Sequence, residues 1–142
     1  MDKIDSRGGY RKVDVRVIKA NFKSTHAVYV KTDMGLLLKW YNNNKAKLHP
    51  LVLATIFHHK FEKIHPFLDG NGRTGRMLLN YILIKNKYPP LIIRRKFRTN
   101  YLDSLEKADK SNLTENKEEN YKELIQFISS EMTSSYWSIF LF

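Results

Sequence analysis

A mainly α single domain with one β-hairpin near its start is the fold this sequence predicts, and three observations predict it. Apolar residues recur at helical spacing over most of the chain from Val30 onward. A period of two is confined to Val13–Ile18. The 142 residues make one domain's length, enough to bury roughly 68–70% of the unfolded surface without disulfide or metal staples. The predicted hairpin takes in about residues 9–29 and the helical core about 30–135, within a single domain over 1–142.

Element by element, Gly8-Gly9 opens a stretch in which Val13, Val15 and Val17 alternate with Asp14, Arg16 and Ile18, which reads as a strand. Lys19–Ser24 is the turn into a second, shorter strand. Val30, Met34, Leu37 and Tyr41 then form one buried helix face, closed by Asn42-Asn43-Asn44. Pro50 suits the first turn of a second helix with Leu53, Phe57, Phe61 and Ile64 on its buried face. That helix should stop at His65, because Pro66 pushes the residue before it out of the α region. A glycine-bearing loop follows, then a helix beginning near Arg73. Its segment Met77–Ile84 is apolar nearly all round, which predicts a place in the middle of the domain. Pro89-Pro90 breaks the chain and Leu91–Ile93 runs extended. Tyr101, Leu102, Leu105 and Ala108 mark a helix capped by Thr99 or Asn100. Asp109–Asn120 reads as a polar loop, and Tyr121, Leu124, Ile125, Ile128 and Met132 as the last helical stripe. Phe140-Leu141-Phe142 reads as a tail packed on the core or a contact in a homo-oligomer.

Composition excludes several functions. Without Cys there are no disulfides, thiolate zinc sites or Cys nucleophiles. No apolar run approaches the ~20 residues of a membrane span, and the first dozen residues lack a signal-peptide core. The expectation is a soluble cytoplasmic protein without a membrane partner. The net charge of +11, from 25 Lys+Arg against 14 Asp+Glu, favours anionic partners, nucleic acid or phosphate-bearing ligands among them. Arg94-Arg95-Lys96-Phe97-Arg98 is the densest basic run and reads as a solvated face. His58-His59 point about 100° apart on a helix, which suits packing beneath the His65 loop better than a shared metal.

The chemistry concentrates in His65-Pro66-Phe67-Leu68-Asp69-Gly70-Asn71-Gly72-Arg73-Thr74-Gly75-Arg76. Gly70 and Gly72 allow close approach of the backbone to a ligand. The helix that follows aims its free N–H groups and positive dipole end at the loop, an anion site suited to phosphate. Arg73 and Arg76 reach the same side and can clamp neighbouring phosphates. A bare phosphate would repel Asp69, so Asp69 makes sense as a ligand for Mg²⁺ carried on a nucleotide. His65, a neutral imidazole near pH 7, can take a proton from an incoming hydroxyl. Phe67 is a core anchor for the loop. The constellation reads as transfer from a Mg²⁺-nucleotide to a hydroxyl. Gly70–Gly75 also fits the dinucleotide pattern G-x-G-x-x-G, but a helical stripe precedes it where a βαβ unit would need a strand.

His65–Arg76 resembles the full signature of the Fic/Doc family, H-x-F-x-D/E-G-N-G-R-x-x-R, with every specified position present. The resemblance runs from about Gly9-Tyr10-Arg11 to Phe127-Ile128 and includes Trp40, Leu48-His49-Pro50 and Tyr88-Pro89-Pro90. It implies a helical core with an N-terminal β-hairpin flap, and a protein adenylyltransferase moving AMP from ATP to a Ser, Thr or Tyr hydroxyl of a target protein, with self-modification. His65 would be the base and Asp69 would hold Mg²⁺. Gly70, Asn71 and Gly72 would form the anion hole, with Asn71 orienting the α-phosphate, and Arg73 and Arg76 would grip the β- and γ-phosphates. The flap, with Val15, Val17 and Ile18, would pair with an extended target segment.

Two features depart from the family pattern. Tyr101-Leu102 stands where members often carry two aromatics beside the base, and Asp109 where an Asn is common. The resemblance therefore leaves room for transfer of UMP, GMP, phosphate or phosphocholine, or for removal of AMP. Many members are restrained by a helix bearing S/T-x-x-x-E-G/N. The sequence begins too close to the flap to hold that helix upstream, and Ser111–Asn116, with Ser111, Glu115 and Asn116, matches it in a polar loop as a coincidence of a degenerate pattern. A basic nucleic-acid-binding module is the rival that charge alone would permit; the motif disfavours it.

Overall fold

The computed structural model describes residues 9–16, 23–109 and 118–140. Five helices carry it: α1 (Val30–Asn44), α2 (Pro50–Ile64), α3 (Asn71–Lys85), α4 (Arg98–Ala108) and α5 (Glu118–Phe140). Single 3-10 turns, Ala27–Tyr29 and Arg95–Phe97, lead into α1 and α4. None of the helices is long and apolar enough to cross a membrane among the described residues.

Helix α2 is the centre of the fold. It packs against α1, α3 and α5, and α4 packs on α5. From Leu53 to Ile64 every residue but Lys63 is buried. The apolar members supply core surface, and four of the five polar ones have a specific partner, Glu62 being the exception. The Thr55 hydroxyl donates to the Leu51 carbonyl at 2.7 Å. His58 Nε2 meets the Tyr101 hydroxyl of α4, and His59 Nδ1 meets the Tyr121 hydroxyl of α5 at 2.8 Å. The Lys60 ammonium lies over the Trp40 ring, 5.1 Å from its centroid. Burial of polar side chains is tolerated where they find partners inside, as these four do.

This arrangement corrects the central place that hydropathy gives to Met77–Ile84. Met77, Tyr81 and Ile84 are 71%, 56% and 56% exposed, while Leu79, Ile82 and Leu83 face the core. The run Met77–Ile84 reads as central because the sequence does not show that polar residues of α2 find Tyr101, Tyr121 and Trp40 inside the fold.

Helix ends follow local chemistry. Pro50 opens α2, and the His49 ring accepts from the Leu51 N–H at 3.2 Å. The Tyr88 hydroxyl meets the other His49 nitrogen at 2.9 Å, tying the Pro-Pro turn to the start of α2. Asn80 bonds both the N–H and the carbonyl of Leu91, which holds the extended segment after that turn against α3. The expected Thr99 or Asn100 cap is replaced: Phe97 is the N-cap of α4, with no side-chain cap, because the preceding 3-10 turn feeds directly into the helix. Glu118–Asn120, expected in a loop, are helical, and residues 110–117 of that loop lie outside the described residues. Arg94 is partly exposed but also a structural tie. Its guanidinium and backbone N–H both bond the buried Glu131 carboxylate, at 2.8 Å each, and fasten the segment before α4 to α5.

The described residues contain no strand, so the hairpin expected over Val13–Ile18 is not seen there. Val17 and Ile18 lie outside the described residues, while Val13–Arg16 are irregular. Side chains lace the described residues of this region together. Ser24 donates to the Val15 carbonyl at 2.8 Å, and Asp14 accepts from the Ala27 N–H at 2.6 Å and meets His26 at 3.1 Å.

Candidate active site

The site is built where α2 ends and α3 begins. Two left-handed residues shape it: His65, with φ 50° and ψ 62°, closes α2, and Gly70, with φ 81°, caps α3. Glycine takes that conformation freely and an L side chain does not, so His65 is the residue held there against preference. Asn71, the residue after Gly70, stitches the loop between the two. Its side-chain carbonyl accepts from the Phe67 N–H at 2.9 Å, and its amide donates to the Phe67 carbonyl at 2.7 Å. Phe67 packs against Phe61 and Tyr10. The Asn71 side chain is buried and committed at both ends, so what this position offers an anion is its backbone N–H.

Helix α3 starts at Asn71, two residues before the expected start. The first intrahelical bond runs from the Thr74 N–H to the Gly70 carbonyl at 2.9 Å. The amides of Asn71, Gly72 and Arg73 therefore have no acceptor within the helix and point their N–H groups toward the loop. Both arginines fold back over this end. A Cβ on Gly70 would lie 3.4 Å from Arg73 Nη2, and one on Gly72 would lie 3.1 Å from Arg76 Nη1. Two guanidiniums and a helix N-terminus thus converge on the same opening. Arg76 also borders a pocket of about 210 Å³ lined by Leu79, Asn80 and Leu91–Ile93.

The Asp69 side chain is 94% exposed; one oxygen accepts from the Gly70 N–H at 2.8 Å and the other lies 3.5 Å from Arg73. No cluster of three potential metal ligands occurs among the described residues. A lone carboxylate beside an anion cradle fits Mg²⁺, which is commonly held by one or two carboxylates plus phosphate oxygens and water.

His65 is half-buried, and its Nδ1 is shut off from solvent without a hydrogen-bond partner. Burial, and then the charge of Arg11, hold its pKa below the usual imidazole value. It is neutral near pH 7, and proton exchange is left to Nε2. The supporting layer is also uncharged at that nitrogen-rich end. Burial takes His58 down to about 4, and its Nδ1 lies 3.0 Å from the Gly75 carbonyl.

Two residues that sequence reasoning passed over belong to this region. Arg11 is 3% exposed and its side chain reaches the carbonyls of Ile64 and His65. No local signal marks it, because those partners lie more than fifty residues away in the chain. Glu62 is buried with Oε1 unpartnered, and a Cβ on Gly75 would sit 2.1 Å from that oxygen. Its spacing was a usable signal: Glu62 follows His58 at i+4 on α2 and stands three residues before His65.

The weaker sequence expectations are scattered. Tyr101 is buried with its hydroxyl on His58, and Leu102 is partly buried against the core. Asp109 pairs with Lys63 at 2.9 Å. Val15 is partly buried beside Ser24. Ser111, Glu115 and Asn116 lie outside the described residues.

A model of the Fic/DOC family matches residues 1–83, which include the whole loop and both arginines. The chain belongs to the Fic/DOC family. Among its Fic relatives, a protein adenylyltransferase Fic of Aedes aegypti is 41% identical over 57% of this chain, and one of Drosophila melanogaster is 40% identical over the same share. The chain spans 17% and 18% of the length of those two proteins. A Fic-domain-containing signaling protein of Bacteroides thetaiotaomicron has the same fold, with a TM-score of 0.80 and 29% identity. That match covers 89% of this chain and 52% of the other.

Proposed function

We propose that this Fic/DOC domain is a protein adenylyltransferase, moving AMP from Mg²⁺-ATP to a Ser, Thr or Tyr hydroxyl of a protein, its own chain included. The observation that carries the reading is a neutral, half-buried imidazole at one end of a loop whose other end is a helix N-terminus flanked by two guanidiniums. Phosphate oxygens would take the N–H groups of Asn71, Gly72 and Arg73, with Arg73 and Arg76 on the outer phosphates. Asp69 would hold Mg²⁺, which, when bound, would offset negative charge on the phosphates. His65 Nε2 would accept the proton of the incoming hydroxyl as its oxygen bonds to the α-phosphorus, and pyrophosphate would leave. The names of the Aedes and Drosophila relatives support AMP as the transferred group.

The test is incubation with ATP labelled at the α- or the γ-phosphate, with and without cell lysate, beside GTP, UTP and CDP-choline. Protein-bound label should come from α-labelled ATP and not from γ-labelled ATP. His65→Ala should cut incorporation by ~10²–10⁴-fold while ATP still binds. Undiminished incorporation in that variant, or label from the γ-position, would refute the reading.

A further inference from the structure

We propose that Arg11 is a positioning residue: it locks the left-handed turn that presents His65 and joins that turn to the arm of residues 9–16, so that the base and the arm are held by one group. The inference rests on His65 acting as the base. Its grounds are geometric. The Arg11 backbone N–H donates to the Pro66 carbonyl at 2.9 Å. From its side chain, Nε donates to the His65 carbonyl at 2.6 Å and Nη2 to the Ile64 carbonyl at 3.1 Å. One residue thus satisfies three consecutive carbonyls, from Ile64, the last residue of α2, through His65 to Pro66 in the loop; the first is one that a helix C-terminus leaves without a partner. A helix usually ends this way on glycine in the left-handed conformation. Here the residue in that conformation is His65, and the charge of Arg11 at the negative end of the helix dipole stabilises it.

The same guanidinium reaches the other way. Nη1 donates to the Val13 carbonyl at 2.9 Å, and Nη2 also donates to the Thr25 carbonyl. Thr25 is fixed independently, its N–H donating to the Lys63 carbonyl and its hydroxyl to Asp33 of α1. Arg11 therefore sits at the junction of the arm, the lead-in to α1 and the base. A lysine has a point charge on a flexible stem and cannot fork across four carbonyls. Movement of the arm, on docking a target segment or losing one, would pass to the His65 backbone through this fork.

The experiment compares Arg11→Lys and Arg11→Gln with the wild type in three readouts. These are ATP affinity by calorimetry, AMP transfer, and titration of the His65 imidazole by NMR of histidine-labelled protein. Arg11 touches none of the phosphate-facing groups, so ATP affinity should stay within about twofold while transfer falls about tenfold or more in both variants. The His65 pKa should rise in Arg11→Gln, which removes the opposing charge, and rise less in Arg11→Lys. Wild-type transfer in folded Arg11→Lys, or ATP affinity falling in step with transfer, would overturn the proposal. So would an unchanged His65 titration in folded Arg11→Gln. If Arg11→Gln shows no cooperative melt, the lysine variant decides alone. Should the wild type transfer no nucleotide at all, the adenylyltransferase reading has failed, and the titration still decides whether Arg11 governs His65.

Discussion

Replacing Asn71 with alanine separates two roles that its position in the loop would allow. If the side chain served only to touch a phosphate, the protein without nucleotide would not notice its loss. In this structure the amide makes two hydrogen bonds to the backbone of Phe67, at 2.9 and 2.7 Å, and is 3% exposed. Each such bond contributes about 1 kcal/mol net, and more where the abandoned backbone group stays partly buried. Asn71→Ala should therefore destabilise the nucleotide-free protein by about 2–3 kcal/mol. For a domain of this size that corresponds to a fall in Tm of about 6–12 °C. Calorimetry or circular-dichroism melts without nucleotide measure it, and ATP titrations on the same samples report how far the cradle depends on the loop. A Tm within about 1 °C of wild type, with ATP affinity lost, would refute the reasoning and return the side chain to the phosphate.

Two further outcomes follow from the same geometry. Arg76 is exposed and its guanidinium lies over Gly72, so Arg76→Ala should weaken ATP binding at least tenfold and leave the nucleotide-free Tm within about 2 °C; a large fall in Tm with ATP affinity intact would make it structural. Burial raises the Glu62 pKa to about 7, so the folded state holds a proton that the unfolded chain releases near 4.5, and this residue's contribution to stability is present at low pH and lost as pH rises toward 7. Glu62→Gln should abolish that loss and raise Tm at pH 8 relative to wild type far more than at pH 4, as pH-dependent melts would show; equal effects at both pH values would contradict a buried, protonated Glu62.

Much of the fold was legible because its boundaries rest on local chemistry. Pro50, Pro66 and the Asn42–Asn44 run lie at the limits of α1 and α2, and those helices begin and end where the sequence places them. The loop chemistry was legible too, since His65, Asp69, Gly70, Arg73 and Arg76 are adjacent in sequence and the two helices bring them no new neighbours of the same kind. What escaped was long-range. The burial of α2 depends on Tyr101, Tyr121 and Trp40, each from a different helix, and no window of residues contains those pairings. Arg11 was invisible for the same reason. Alternation at Val13–Ile18 suggested a ladder; the described part of that stretch shows side-chain bonds from Asp14 and Ser24 to backbone groups, and Val17 and Ile18 lie outside the described residues. The reach of the basic run was misjudged because the carboxylate that claims Arg94 comes from α5.

The two tyrosine hydroxyls on His58 and His59 have a mechanical consequence. Adjacent residues of a helix diverge by about 100°, so these two bonds engage different neighbours, Tyr101 on α4 and Tyr121 on α5. Together they act as index pins. A rotation of α2 that preserved one would shear the other, and a slip of one residue would displace the helix by about 1.5 Å and break both. Apolar packing alone tolerates such slips more readily, because one aliphatic contact substitutes for another. The helix so registered ends at His65, and reacting groups misplaced by about 1 Å can lose two orders of magnitude in rate. The alignment of the imidazole is thus inherited from two polar contacts deep in the core, near the middle of the helix that carries it.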